Sequence, residues 1–298
     1  MSAQREAVLG VLGGSGVYSI DGLAGARWEK VESPFGTPSD ELLLGELAGT
    51  RVAFLPRHGR GHRIPPSEID YRANIDALKR VGATDLVSVS ACGSLREELA
   101  PGTFVLVDQF VDQTSARAQS FFGTGCVAHV SMARPVCARL GDLLERTARA
   151  AGIPVARGGT YLAIEGPQFS SRAESELYRR WGCDVIGMTN LPEAKLAREA
   201  ELCFASVAMV TDYDCWHDEH GAVEVAQIVA LLAANAERAR RLVADAARGF
   251  SPRPIPCPQG CDRALESAIL TAPEARDPAL LRRLDAVAGR ILEPRSGA

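Results

Sequence analysis

A chain of 298 residues with 46% hydrophobic and 23% charged residues has the make-up of an ordinary globular protein, which excludes a disordered polymer. A formal net charge of -4 and a pI near 5.8 provide no broad basic field. Nucleic acid and anionic membrane are therefore excluded as partners, and a small-molecule ligand is favoured.

No apolar run of spanning length is free of charge, and the N-terminus lacks the long apolar core of a secretory signal, so a cytoplasmic protein is expected. Short runs rich in Val, Ile and Leu at 7–12, 52–55, 86–90, 104–107, 185–188 and 203–210 read as buried strands. Helical patterns at 71–81, 135–151, 171–181 and 192–200 alternate with them. This alternation predicts an α/β fold, a single domain with a mixed, mostly parallel central sheet flanked by helices. A long Ala-rich helix is predicted over 223–247, ending by Gly249 ahead of the Pro-rich break SPRPIPCPQG. The expected division is a domain over 1–250 and, over 251–298, a break followed by one tail helix with an apolar stripe of Leu280, Leu281, Leu284, Val287 and Ile291.

Ligands of open α/β sheets bind beyond the carboxyl ends of the strands, so the residues after each apolar run carry the functional information. Gly13-Gly14-Ser15-Gly16 follows the first strand; its glycines let backbone N–H groups approach an anion, although a plain structural turn explains them as well. Arg57-His58-Gly59-Arg60-Gly61-His62 follows the strand at 52–55, and Arg57 offers a planar fork suited to phosphate oxygens. The histidines four apart are a poor metal pair, because the glycines between them oppose a helix. Ser90, Ala91 and Cys92 end another strand with small residues that suit a pocket wall. Ser171 and Glu174 form a capping-box pattern just after Phe169, an aromatic placed to stack on a planar ring or to join the core. At the end of the strand at 203–210 stand Asp212 and Asp214, whose spacing by two points them to one side. A carboxylate pair of this kind raises one pKa and can protonate a leaving nitrogen; a helix cap plus an exposed Asp is the alternative.

The eight cysteines at 92, 126, 137, 183, 203, 215, 257 and 261 are scattered, without a C-x-x-C pair or zinc-like spacing, and are expected to be reduced core residues. Cys257 and Cys261 lie close together in the Pro-rich stretch. Two free thiols in a loop are favoured there over a disulfide or a weak metal site.

In order along the chain, GGSG, SPFGTPSD at 33–40, RHGRGH, ACGSLREEL at 91–99, DQFVDQT at 108–114, IEGPQFSSRAES and TDYDCW resemble the trimeric purine nucleoside phosphorylase superfamily, in its methylthioadenosine phosphorylase branch. The similarity covers roughly residues 8 to 250. The resemblance implies phosphate held by Ser15, Arg57, His58, Ser90, Ala91 and Thr189. It implies a nucleoside held by Ala91, Phe169, Met188, Asp212 and Asp214, with Val225, Ile228 and Val229 around the 5' substituent. It further implies His129 reaching a neighbouring subunit's site, and hence a homotrimer. Asp212 is the implied proton donor to adenine N7, helped by Asp214, and its carboxylate favours a 6-amino over a 6-oxo purine. Inorganic phosphate is the co-substrate, and no metal or organic cofactor is expected. Ser15 and Ser90 stand where Thr is common, and the chain runs past the usual end. A 5'-halo-5'-deoxyadenosine or 6-oxopurine phosphorylase, a nucleoside hydrolase, a nucleoside-binding protein and a nicotinamide-dependent dehydrogenase are the alternatives.

Overall fold

The computed structural model describes residues 7–14, 16, 20–217 and 225–292, with 225–230 as backbone alone. Eleven strands among these residues form one sheet: β1 Val8–Gly13, β2 Ala24–Glu29, β3 Leu42–Leu47, β4 Thr50–Pro56, β5 Ala83–Ser94, β6 Phe104–Val107, β7 Gln109–Gln113, β8 Val155–Arg157, β9 Thr160–Ile164, β10 Val185–Gly187 and β11 Cys203–Asp212. Among the described residues seven α-helices accompany them: α1 Tyr71–Arg80, α2 Ala138–Ala150, α3 Arg172–Arg180, α4 Asn190–Glu199, α5 Val225–Arg248, α6 Pro278–Arg283 and α7 Asp285–Leu292.

The sheet runs β2-β3-β4-β1-β5-β10-β9-β7, with β11, β6 and β8 branching from β5. Pairs β4/β1, β1/β5, β5/β11, β6/β8, β7/β9 and β9/β10 are parallel; β2/β3, β3/β4, β5/β10 and β6/β11 are antiparallel. The expected α/β class with a mixed, mostly parallel sheet is therefore what forms. The branch at β5 follows from its length. Its first part lies between β1 and β11, and its last residues, Gly93 and Ser94, turn to pair with β10.

Strand periodicity divides the core into two layers. Along β1, Leu9 and Val11 face one layer with Leu140 and Leu144 of α2 and Leu242 and Val243 of α5. Val8 and Leu12 face the other with Ile75 and Leu78 of α1 and Leu196 of α4. Helix starts follow local chemistry: the Asp70 carboxylate accepts the Ala73 N–H at 3.1 Å, and Ser171 with Glu174 closes the predicted capping box of α3. The strands the sequence did not reveal are the exposed edge strand β2 and the short or partly exposed β7, β8 and β9, beside β3.

The tail differs from the single expected helix. It breaks at Leu284 into α6 and α7, with the Leu284 N–H turned to both Leu280 O and Leu281 O. Its apolar stripe does meet the protein: Leu284 and Val287 are buried, and Leu280, Leu281 and Ile291 pack beside them. The segment before it contributes Cys257 and Cys261 to one core layer and Leu265 and Ala268 to the other, so it wraps around the sheet. Arg290 pairs with the buried Glu201 at 2.6 Å, and Arg80 with Asp285 at 2.5 Å. None of the described helices is long and apolar enough to cross a membrane.

Candidate active site

Because β4, β1, β5 and β11 run parallel, their carboxyl ends open along one edge of the sheet. Gly13 at the end of β1 lies level with Pro56 of β4 and Val89 of β5. The chain beyond those points therefore places Gly14, Arg57 and His58, and Ser90 and Ala91 side by side. The Arg57 N–H binds Gly13 O at 2.9 Å and ties the first two loops together. Ala91 is exposed although its neighbours Ser90 and Cys92 are buried, which marks open space over the last part of β5. One turn of ladder further on, Asp212 lies level with Gly93.

The anion side differs in detail from the sequence expectation. Arg57 is 1% exposed rather than an open fork, and its Nε and Nη2 grip Glu193 at 2.5 and 3.1 Å. Nη2 also donates to Ser88 Oγ at 2.7 Å, and Nη1 to Val89 O at 3.0 Å. Burial opposes the guanidinium charge, but Glu193 outweighs that and raises the pKa. What Arg57 can still direct outward is limited to an Nη1 N–H. His58 is not cationic. Burial, then the Arg57 charge, lower its pKa to about 4. Its Nδ1 lies 2.8 Å from Ile64 O, an acceptor, so the neutral ring carries its proton there and presents Nε2 as an acceptor, stacked on His62. The Ser90 hydroxyl accepts from Asn190 Nδ2 at 2.8 Å, while Asn190 Oδ1 accepts from Ser206. Thr189, buried, heads α4 with no side-chain cap bond to that helix. Ser15 lies outside the described residues.

On the other side of Gly93 the two carboxylates converge. A Cβ at Gly93 would come within 3.1 Å of Asp212 Oδ1 and 3.3 Å of Asp214 Cβ, so only glycine leaves both in place. Burial raises the Asp212 pKa; the Thr211 hydroxyl, donating to Oδ2 at 2.7 Å, works against this, and the Asp214 charge adds to it. Asp214 is held by Ser170, whose Oγ reaches its two oxygens at 3.0 and 2.8 Å. The pair thus sits in two environments: Asp212 inclined to keep a proton, Asp214 anchored by a hydroxyl.

Phe169, next to Ser170, is 84% exposed, so it is no core residue. Met188 is half-buried with its sulfur against Gly166, where a Cβ would lie 2.5 Å away. Arg117 fastens these loops together. Its guanidinium donates to Glu165 Oε1 at 3.0 Å, Glu165 O at 2.6 Å, Leu191 O at 2.7 Å and Met188 O. His129 is exposed on a segment whose N–H binds Ala268 O at 2.8 Å; among the described residues no hydrogen bond or ring contact joins it to Asp212 or Arg57. Val225, Ile228 and Val229 begin α5, and their side chains lie outside what is described.

Sequence reasoning missed Glu193, Ser88, Ser170, Arg117 and the Asn190–Ser206 pair as parts of this region. The sequence offered no local signal for Glu193, which stands in NLPEAKLARE among Lys195, Arg198 and Glu199; only its burial shows that its charge needs a partner.

The family profile described as the phosphorylase superfamily matches residues 8–248. The S-methyl-5'-thioadenosine phosphorylase of Cereibacter sphaeroides is 64% identical over 97% of this chain and 99% of its own length; that of Bradyrhizobium diazoefficiens is 62% identical over 96% and 99%. These relatives therefore share nearly the whole segment after Phe250, which is no extension peculiar to this chain. A crystal structure of methylthioadenosine phosphorylase from an antarctic soil metagenomic library superposes with a TM-score of 0.88 at 46% identity, over 95% of this chain and 99% of that one. The Schistosoma mansoni methylthioadenosine phosphorylase in complex with tubercidin superposes at 0.75 and 37%, over 81% and 90%. By sequence over nearly its full length and by fold, the chain belongs to the phosphorylase superfamily, among the methylthioadenosine phosphorylases.

Proposed function

We propose that this protein cleaves 5'-methylthioadenosine with inorganic phosphate, releasing adenine and 5-methylthioribose 1-phosphate. The observation that carries the reading is the buried Asp212, its pKa raised, beside Gly93 and Asp214 at the end of the sheet where Ser90, Ala91 and Arg57 also gather. The names of the relatives support the substrate, as do adenine and tubercidin in the Schistosoma structures.

In this reading the bond from the anomeric carbon to N9 loosens first, and its electron pair passes into the purine. Protonated Asp212 donates to N7 and makes adenine a leaving group. Phosphate, waiting on the opposite face, forms the new C–O bond with inversion. Ser15, Ser90, Thr189, the Ala91 backbone and the remaining Nη1 N–H of Arg57 hold it. The neutral His58 Nε2 accepts from the proton that the phosphate still carries. Phe169 and Met188 cover the base and ribose, Asp214 holds the 6-amino edge, and Val225, Ile228 and Val229 receive the methylthio group. The reaction itself calls for no metal or organic cofactor. A homotrimer completed by His129, in the cytoplasm, serving purine and methionine salvage, fits the same reading.

The test is adenine release from 5'-methylthioadenosine with and without phosphate, beside 5'-chloro-5'-deoxyadenosine and inosine. Phosphate-dependent release, fastest with the methylthio compound, is expected. Release without phosphate would establish a hydrolase, and faster turnover of inosine or the chloro compound would move the substrate assignment.

A further inference from the structure

Four cysteines far apart in sequence meet at one point. Cys137 stands at the start of α2, Cys203 at the start of β11, and Cys257 and Cys261 in the segment that follows α5. Their sulfurs all lie within 4.8 Å of one another, with Cys203 and Cys257 3.7 Å apart, and none of the four is more than 3% exposed. A tetrahedral ion with metal–sulfur bonds of ~2.3 Å has sulfur–sulfur edges of ~3.8 Å. The cluster needs shifts of well under an ångström per sulfur to reach that shape.

We propose that Cys137, Cys203, Cys257 and Cys261 form a closed tetrathiolate site for one structural zinc ion per chain. Four soft ligands in a tetrahedral set suit zinc among the redox-inert ions, and the complete burial leaves no position open to water, as in sites that hold a fold rather than catalyse.

The surroundings are built for such a centre. Gly260, at φ 66°, turns the chain between Cys257 and Cys261, with its N–H on Cys257 O at 2.8 Å. Asp262 fixes the same turn by accepting the Cys257 N–H at 2.9 Å. A dication with four thiolates leaves an excess of two negative charges. Two guanidiniums adjoin Cys203: Arg253, with Nη1 3.7 Å from its sulfur, and Arg139, which also pairs with Asp85. The Leu140 N–H at the start of α2 points to the Cys137 sulfur. Outer groups of this kind neutralise and orient metal-bound thiolates. On binding, the thiols lose their protons to solvent and no group is oxidised. The consequence is a clip: two ligands belong to the body of the protein and two to the segment beyond Phe250.

The experiment is elemental analysis of the intact protein, made in zinc-supplemented medium and purified without chelator, followed by titration with an organomercurial. Release of about one zinc per chain, complete when four thiols have reacted, is expected. Replacement by cobalt(II) should produce the intense visible bands and near-ultraviolet charge transfer of a tetrahedral tetrathiolate. Cys257→Ser with Cys261→Ser should abolish both signals and speed proteolysis after Phe250. Metal-free protein from zinc-replete cells, with these cysteines as free thiols or as two disulfides by mass spectrometry, would overturn the proposal. So would full zinc content in the double variant.

Discussion

At the scale of the residue, Asp212 and Arg57 each do something their type alone does not dictate. Asp212 lies under Gly93 with its pKa raised by burial, so it can carry the proton that the leaving purine needs. Asp212→Asn should lower kcat on 5'-methylthioadenosine by about 10²- to 10⁴-fold, the usual span for a lost general acid. Since the acid must be protonated, the wild-type kcat should fall as pH rises through that elevated pKa, and the fall should vanish in the variant; an unchanged profile would remove the assigned role. Arg57 is harder to test by truncation. Arg57→Ala would leave the Glu193 carboxylate buried and unpaired, a loss of ~3–5 kcal/mol by analogy with other broken buried pairs. The expected result is a large fall in Tm together with a raised phosphate KM, whereas Arg57→Ala with Glu193→Gln should recover much of the Tm and leave the phosphate defect. Recovery of both would make the pair purely structural.

At the scale of the element, placement of the site depends on where strands stop and loops are pinned. The α3 capping box holds Ser171 at a defined turn, and Ser170, one residue earlier, holds Asp214. Ser171→Ala should cost about 1 kcal/mol, read as a lowered denaturation midpoint. By loosening Ser170 it should also weaken nucleoside binding more than phosphate binding. Equal effects on the two KM values would break that link. Helix starts, caps and buried strands were legible in the sequence because their signals are local: a capping pair three residues apart, or an unbroken run of Val, Ile and Leu. The edge strand β2 was not, because AGARWE has neither an unbroken apolar run nor clean alternation and is ordered by pairing with β3. The split of the tail into α6 and α7 was equally hidden, since the apolar spacing continues through the break at Leu284.

At the scale of the whole molecule, the segment beyond Phe250 decides more than its Pro-rich start suggests. It supplies Leu265, Leu284 and Val287 to one core layer and Cys257 and Cys261 to the other. Burying a large aliphatic side chain contributes ~1.5–3 kcal/mol, so three of them rival the ~5–15 kcal/mol net stability of a typical domain. A chain ending at Phe250 should therefore be insoluble or lack a cooperative melting transition. A soluble truncation with a native circular dichroism spectrum and intact turnover would show the tail to be an appendage.

The α/β class, the position of the carboxylate pair, the glycine and RHG loops, and family membership are all legible along the chain, because each rests on residues adjacent in it. Only the folded chain shows that Arg57 faces Glu193, 136 residues away, that burial and Arg57 hold the pKa of His58 low, and that Ser170 holds Asp214. It likewise brought Cys137 and Cys203 to Cys257 and Cys261, whose spacing along the chain resembles no metal motif. Burial and charge pairing are set by which strands lie side by side, and the order of this sheet is not the order of the sequence.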